Sequence, residues 1–570
     1  VVAGVSGMVR RVAFAVGDAV GSGDPLYFIE PGEVAGDADQ EAEEIDLDYI
    51  RPDLAKLQRR DALLRDEQRP DAVAKRRKTG QRTARENVAA ICDADSFIEY
   101  GGFTIAAQRA RRSLDDLIQN TPADGLITGI GSVNGDLFGE DRSHCAVLAY
   151  DYTVLAGTQG TMNHKKTDRI LEIAEQQKLP VIFFAEGGGG RPGDTDNATK
   201  VAGLDGPSFL QYARLSGLVP RIAVVSGRCF AGNAVFAGCS DLMIATENAC
   251  IGMAGPAMIE GGGLGSFKPE EVGPVSVQRA NGVIDCVVKD EEEGAALAKK
   301  LMGYFQGEIT DWTCEDQRWL RRAVPENRLH AYDMRHLINV FADTDSVVEL
   351  RPDFAPGMIT AFVRVEGRPL GLIANDPKVL GGAIDAAGAD KASRFMQLCD
   401  AFGVPMVSFC DTPGFMVGPE EEETAMVRHT CRMFVTAASL TVPLFSLVTR
   451  KGYGLGAQGM TGGSFHAPFF CASWPSGEFG GMGLEGAVNL AYKKELDAQE
   501  TPEKRQALFN ELVGKLYERG EALSMAAALE IDTVIDPADS RAWVLRGLRA
   551  APAGGREPIA GKRRPMIDTW

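Results

Sequence analysis

The sequence lacks most of the usual signs of chemistry carried by side chains. It has only six histidines, His144, His164, His330, His336, His429 and His466, and no two stand at metal-ligand spacing. No metal site is therefore expected. There is no GxSxG elbow and no GxxxxGK[ST] loop, so direct ATP chemistry through such a loop is excluded. The eleven cysteines include no CxxC pair. An odd, scattered set points to a reducing cytoplasm rather than a disulfide framework. No run approaches the roughly 20 apolar residues of a membrane helix, and no signal peptide opens the chain. Positive charge is in deficit, with 60 Lys and Arg against 79 Asp and Glu, a net charge of −19. Nucleic acid and anionic membrane surfaces are poor partners for such a chain.

What is present is a globular composition, 45% hydrophobic and 24% charged, over 570 residues. That length suits about two to four domains. Glycine is abundant at 65 residues, clustered in short runs where backbone can come close to a ligand or to other backbone.

Residues 1–35 read as short strands with tight turns, alternating through Met8-Val9-Arg10-Arg11-Val12-Ala13-Phe14. Residues 36–94 are charged and nearly free of glycine, a helical linker. Its basic run, Lys75-Arg76-Arg77-Lys78, reads as a solvated face, with contact to an anionic ligand as the other reading. From 95 to 320 apolar strands alternate with helices placed near 164–177 and 207–217, an α/β pattern. A polar connector follows over 321–345, and the pattern resumes over 346–570.

The second half repeats the first. Leu179-Pro180-Val181-Ile182-Phe183-Phe184-Ala185-Glu186 answers to Val404-Pro405-Met406-Val407-Ser408-Phe409-Cys410-Asp411, and the same spacing carries Arg169 onto Arg394. The run Val224 to Gly232 answers to Leu447 to Gly454, and Ile251 to Gly255 answers to the glycine-rich run 481–486. Two copies of one domain are expected.

Each half sets a glycine turn between a strand and a helix: Cys229-Phe230-Ala231-Gly232-Asn233-Ala234 and Gly452-Tyr453-Gly454-Leu455-Gly456-Ala457. Such a turn aims backbone N–H groups at one point, backed by the positive helix end, which is how an oxyanion is held. Close helix–strand packing is the alternative use of the same glycines. Glu420-Glu421-Glu422-Glu423 reads as solvated, and His429 as a satisfied surface histidine rather than a base. The chemistry expected is stabilisation of enolate-type anions by backbone amides, twice per chain.

The ordered markers Thr83-Ala84-Arg85-Glu86, Asp95-Ser96-Phe97-Ile98-Glu99, Ser216-Gly217-Leu218-Val219-Pro220, Tyr332-Asp333-Met334-Arg335, Asp411-Thr412-Pro413-Gly414-Phe415 and Trp474-Pro475 carry a resemblance. The chain resembles the carboxyltransferase component of biotin-dependent acyl-CoA carboxylases, and most of all the C-terminal part of the single-chain, long-chain type. The resemblance implies an α/β, duplicated crotonase-like (ββα superhelix) fold. Residues 1–35 are similar to the C-terminal half of an all-β biotin carrier domain. In one register the biotinylated lysine lies upstream of Val1; in the other, Glu33 stands in its place.

The implied reaction moves a carboxyl group from carboxybiotin to the α-carbon of an acyl-CoA. Biotin on its carrier is the implied cofactor. ATP and Mg belong to a separate biotin carboxylase component, fused or free. By resemblance, Gly232 and Asn233 hold the acyl-CoA enolate and Leu455 and Gly456 the biotin ureido oxygen. Ala231, Gly188, Gly189, Gly190, Gly454 and Gln458 line the substrates. Asn233 and Leu455 stand where the family usually has glycine, which puts the local backbone angles in question. Extra glycine at 260–265 makes room for a long acyl chain or marks a lineage. A homo-oligomer is expected, a hexamer built from dimers. The competing functions are a biotin-independent crotonase-like decarboxylase or hydratase, with Glu186 and Glu260 as candidate carboxylates, and a non-catalytic scaffold subunit.

Overall fold

A computed structural model describes residues 4–33, 46–196, 205–552 and 566–570. The chain divides into two compact units, Val1–Arg59 and Arg60–Trp570.

In the first unit β1 (Gly7–Val12) pairs antiparallel with β2 (Tyr27–Pro31), from Gly7 opposite Pro31 to Val12 opposite Tyr27. The strands expected from alternation are present. Gly7 is required there, because a Cβ would run into the Glu30 carbonyl. Met8, Val9, Val12, Tyr27 and Phe28 are all exposed. Residues 36–45 of the expected linker lie outside the described residues.

The second unit holds two eight-stranded sheets of one design. The first contains β3 (Ile98–Tyr100), β4 (Leu126–Ser132), β5 (His144–Tyr150), β6 (Val181–Gly187), β7 (Arg221–Phe230), β8 (Leu242–Thr246), β9 (Cys250–Gly252) and β10 (Cys286–Val288). Its order is β10-β8-β7-β6-β5-β4-β3, with β9 beside the end of β7. The second contains β11 (Val348–Leu350), β12 (Met358–Val365), β13 (Arg368–Asn375), β14 (Met406–Thr412), β15 (Leu444–Tyr453), β16 (Phe470–Ser473), β17 (Glu478–Gly480) and β18 (Thr533–Val534). Its order is β11-β12-β13-β14-β15-β16-β18, with β17 beside the end of β15. In each, the first three strands are antiparallel and the rest parallel. The duplicated α/β design matches the expectation from the repeat.

The parallel strands β6 and β14 are buried at every position. Helices cover both faces of such strands, so they read as continuous apolar runs rather than alternations. The helix Thr161–Gln177 turns Ile170, Leu171, Ile173 and Ala174 to the sheet. Phe183 of β6 packs edge-on to Phe236 at 5.5 Å, and Tyr212 packs edge-on to Phe236 at 5.4 Å. Each fully buried aromatic of this kind contributes about 1.5–3 kcal/mol.

The expected helices are found at Thr161–Gln177 and Ser208–Arg214, the second shorter than expected because Leu215 and Ser216 already turn toward β7. Two expectations need correction. The segment 321–345 is not simply a polar connector: Tyr332, Met334, Leu337, Ile338 and Phe341 enter the core against β12 and β13. The helix Met334–Phe341 presents one strongly apolar face, which the flanking charges mask in the sequence. The basic run 75–78 is not uniformly solvated, since Arg76 is buried. Arg169 and Arg394, matched by spacing, differ in setting. Arg169 pairs with Glu172 at the surface, whereas Arg394 is buried and donates to the Asp241 carbonyl.

Two features repeat that the sequence reading did not single out. Arg85 pairs with Glu99 through two hydrogen bonds, and Arg335 pairs with Glu349 in the same way. Lys166 and Lys391, at the spacing of Pro180 and Pro405, are both buried under a left-handed turn. Lys166 Nζ donates to the carbonyls of Ala123 and Leu126. Lys391 Nζ donates to those of Arg351, Phe354 and Ala355 at 2.7, 2.9 and 3.5 Å.

Candidate active site

Both glycine turns sit at the carboxyl ends of parallel strands, where ligands bind in open α/β sheets. In the first half β7 ends at Phe230, Ala231 reverses the chain, and the helix Gly232–Gly238 begins. In the second half β15 ends at Tyr453 and the helix Gly454–Met460 follows. The strand pairing aligns them: Phe230 lies beside Gly252 of β9, and Tyr453 beside Gly480 of β17. Ala231 thus answers to Gly454, Gly232 to Leu455, and Asn233 to Gly456. The third sequence match, drawn from Ile251 onto Gly481, is corrected by this register, which sets Gly252 against Gly480.

The N–H groups of Gly232, Asn233, Leu455 and Gly456 lie in the first turns of their helices. Helix geometry leaves those groups without a partner inside the helix. All four donor positions named from the sequence are therefore at helix starts, beyond the carboxyl ends of β7 and β15. Strain is absent at the two departures from glycine, because neither Asn233 nor Leu455 has a positive φ. It sits two residues before Asn233, at Ala231 with φ 50° and ψ −123°, where the second half has Gly454 with φ 57°. Such a conformation costs a non-glycine residue about 1–3 kcal/mol. Ala231→Gly is expected to raise the melting temperature, checked by calorimetry, because the strain relieved exceeds the roughly 0.4–1 kcal/mol of added chain entropy.

A glycine loop faces each turn. In the first half it is Gly187-Gly188-Gly189-Gly190, following β6. Gly189 N–H donates to Asn233 Oδ1 at 2.9 Å, and Asn233 Nδ2 donates to the carbonyls of Glu186 at 3.0 Å and Gly157 at 3.3 Å. The fully buried carboxamide of Asn233 therefore clamps the loop. In the second half the loop is Thr412-Pro413-Gly414-Phe415, and no side chain intervenes. A Cβ on Gly456 would stand 2.6 Å from Gly414 C and 2.9 Å from Phe415 N. Asn233 is accommodated because the first-half loop stands farther back; Gly456 is required because the second comes closer.

Gly188 and Gly190 are exposed beside the first turn and Gly189 is buried against Ala231 and Gly232. Gly454, Leu455 and Gln458 line a cleft of about 580 Å³, whose walls include Phe465, Phe479, Met482 and Leu484. Leu455 is exposed at its rim. The ten site residues form two groups, one per sheet, and no hydrogen bond among the described residues joins the two turns. Gly232 is the more tolerant of the glycines. A Cβ there would meet the end of the Gln159 side chain, buried and bonded to the Tyr150 hydroxyl, rather than backbone. Gly232→Ala is expected to slow turnover less than Gly456→Ala does, checked by comparing the two in one assay.

The carboxylates considered for hydration do not pair. Glu186 is buried and held by Arg76, while Glu260 is exposed on the helix Pro256–Gly261. His429 Nδ1 lies 2.6 Å from Asp390 Oδ2, a satisfied histidine. No group of three or more potential metal-ligating side chains occurs among the described residues. No helix among them is long and apolar enough to cross a membrane. The clamp of Asn233 was missed in the sequence, where its side chain was weighed only as a departure from glycine.

The carboxyl transferase domain family matches residues 75–566. The 12S subunit of methylmalonyl-CoA carboxyltransferase from Propionibacterium freudenreichii subsp. shermanii is 31% identical over 490 residues, 84% of this chain and 90% of that one. Among solved structures, transcarboxylase 12S, described as a hexamer with methylmalonyl-CoA and methylmalonic acid bound, superposes with a TM-score of 0.77 at 28% identity, covering 92% of this chain and all of that one, 100%. A single-chain, multi-domain long-chain acyl-CoA carboxylase superposes with a TM-score of 0.83 at 54% identity. The match covers 94% of this chain and 51% of that one, so this chain spans about half of that protein's length. With the duplicated sheets and their paired helix-start turns, these matches establish that the chain belongs to the carboxyl transferase domain family.

Proposed function

We propose that this chain is the carboxyltransferase of a biotin-dependent acyl-CoA carboxylase, with the first turn taking the acyl-CoA thioester and the second the biotin ureido group. One observation carries the reading: two equivalent helix-start turns, each backed by a close glycine loop, with no other convergent catalytic side chains among the described residues. Carboxybiotin supplies the carboxyl group and, once it is released, the base for the α-proton. The protein then has two oxyanions to hold and water to exclude. The N–H groups of Gly232 and Asn233 serve the thioester oxygen, and those of Leu455 and Gly456 the ureido oxygen. A donor of this kind contributes about 2.7–4 kcal/mol to lowering the barrier. The apolar cleft beside Gly454 suits a bicyclic ring with one polar edge.

Long-chain acyl-CoA is the proposed substrate class, supported by the 54% identity to the single-chain enzyme. The hairpin β1–β2 is proposed as part of a biotin carrier, with the biotin carboxylase and its ATP and Mg on another domain or subunit. Each turn lies on a separate sheet, so a complete site is proposed to form between copies, as a dimer-based hexamer. The eleven unpaired cysteines suit a reducing, cytoplasmic setting.

The test is ATP-free reverse transfer from malonyl-, methylmalonyl- and long-chain 2-carboxyacyl-CoA to a free biotin derivative. Loss of the carboxyl group that requires biotin, fastest with the long chain, is the expected result. Loss without biotin would make the protein a decarboxylase. No loss with any substrate would leave the scaffold reading.

A further inference from the structure

The first glycine loop is anchored by a residue from outside the repeat. Arg76, on the helix Pro70–Lys78, donates from Nη1 to Glu186 Oε1 at 2.8 Å and from Nη2 to Glu186 Oε2 at 2.5 Å. Glu186 is the residue before Gly187, and its carbonyl accepts the Asn233 side chain. Gln81 Nε2 donates to Glu186 Oε1 at 3.2 Å and to Ser226 Oγ at 2.8 Å. Ser226 Oγ donates to Glu291 Oε1 at 2.7 Å, and Glu291 lies 3.6 Å from Arg76 Nη2. All five side chains are buried. One guanidinium thus faces two carboxylates directly behind the loop.

The second half meets the same need differently. Asp411 stands where Glu186 does, and Arg450 and Lys451 of β15 lie 3.2 and 3.5 Å from it. In the alignment of β7 with β15, Gly227 occupies the place of Arg450. A side chain does not fit at Gly227: its φ is +62°, and a Cβ would stand 2.6 Å from Gln81 Nε2 and 2.8 Å from Glu186 Oε1. Arg228, in the place of Lys451, turns outward to Glu270. Among the described residues, the first repeat has no internal cation for its carboxylate and receives one from the segment that precedes it.

We propose that Arg76 is a positioning residue for the first turn, acting through Glu186 on Gly187–Gly190 and so on the N–H groups of Gly232 and Asn233. The inference rests on the assignment of the acyl-CoA thioester to that turn. Without Arg76, two buried carboxylates face each other. The other titratable groups nearby are Tyr152, whose ring lies 5.9 Å from the Arg76 guanidinium, Cys229 beside Glu186, and Asp151, which is paired with Arg69 at 2.7 Å. Burial already holds Glu186 above the usual carboxylate range. As pH rises and Glu186 ionises beside Glu291, their repulsion displaces the loop; at lower pH Glu186 stays protonated and the repulsion is relieved.

The experiment compares Arg76→Met, Arg76→Lys and Arg76→Met/Glu186→Gln with the wild-type full chain. The double variant removes both partners and guards against a single variant that does not fold. Hydrogen exchange of the peptide covering 186–191 is read against the peptide covering 411–416, independently of activity. Faster exchange in the first alone, in the double variant, is expected. Equal exchange in both peptides, matching wild type, would overturn the proposal. In the transfer assay, Arg76→Met is expected to lower kcat at least tenfold at pH 8 and less at pH 6, with the KM for the biotin derivative unchanged. Arg76→Lys is expected to restore part of the rate, and the double variant, which loses the anchor without gaining the repulsion, to run at every pH at about the rate of Arg76→Met at pH 6. A double variant with wild-type kcat would overturn the positioning role. If wild type itself shows no biotin-dependent transfer, the functional assignment fails, while the exchange data still decide whether Arg76 holds the loop.

Discussion

Gly456→Val is expected to lower biotin-dependent carboxyl transfer by about 10²–10³-fold, the loss seen when one oxyanion donor is removed. The effect is local and steric. Gly456 lies in the first turn of the helix Gly454–Met460, with Gly414 and Phe415 backbone within van der Waals reach of any added Cβ. Backbone cannot swing aside as a side-chain tip can. The helix start must therefore shift away from the Thr412–Phe415 loop, and the N–H groups of Leu455 and Gly456 move with it. The rest of the half is untouched, since Ala457 and Met460 stay in the core. Sedimentation of the variant should match wild type while the transfer assay falls. Transfer at the wild-type rate would remove the second turn from the chemistry.

Lys391→Met is expected to be the most destabilising of these substitutions. Three carbonyls, those of Arg351, Phe354 and Ala355, receive the buried ammonium group. The turn they form is itself unfavourable, with Arg351 at φ 53° and Ala355 at φ 44°. Each acceptor left unsatisfied costs about 1–3 kcal/mol, so a loss of roughly 3 kcal/mol or more is expected in urea unfolding. The pH dependence supplies a second check. Burial lowers the Lys391 pKa to about 7 in the folded chain from an ordinary 10.5. The unfolded state then binds more protons between those values, so this group makes folding more favourable as pH rises through them and less so as pH falls toward 7. Wild type should gain stability relative to Lys391→Met from pH 7 to 9, read as a widening gap between urea midpoints. A gap that stays constant would mean Lys391 remains protonated in the folded chain throughout.

The repeat was legible because it is written in local features. Continuous apolar runs such as Val181–Ala185 and Met406–Cys410 announce parallel strands covered on both faces. The glycine turns announced themselves by following such strands, and the structure places all ten of the named residues beside one of the two turns. The segment 321–345 was harder to read, because its helix buries one face and displays charge on the other. The twin lysines were within reach, since Lys166 and Lys391 keep the spacing of Pro180 and Pro405, but a lysine in a helix gives no sign that it points inward. Asn233 was read as a lapse from glycine because only its backbone was considered.

By itself the sequence determined the class of fold, the duplication and the family, since each follows from local pattern and ordered motifs. Only the tertiary structure decided how each turn is held in place. Arg76 and Glu186 are 110 residues apart, and no periodicity links them. Their pairing follows from how the preceding helix packs against the sheet. The same holds for the contrast between Asn233 and Gly456: the approach of a loop decides whether a carboxamide or a bare Cα fits, and that approach is set by packing across the whole half.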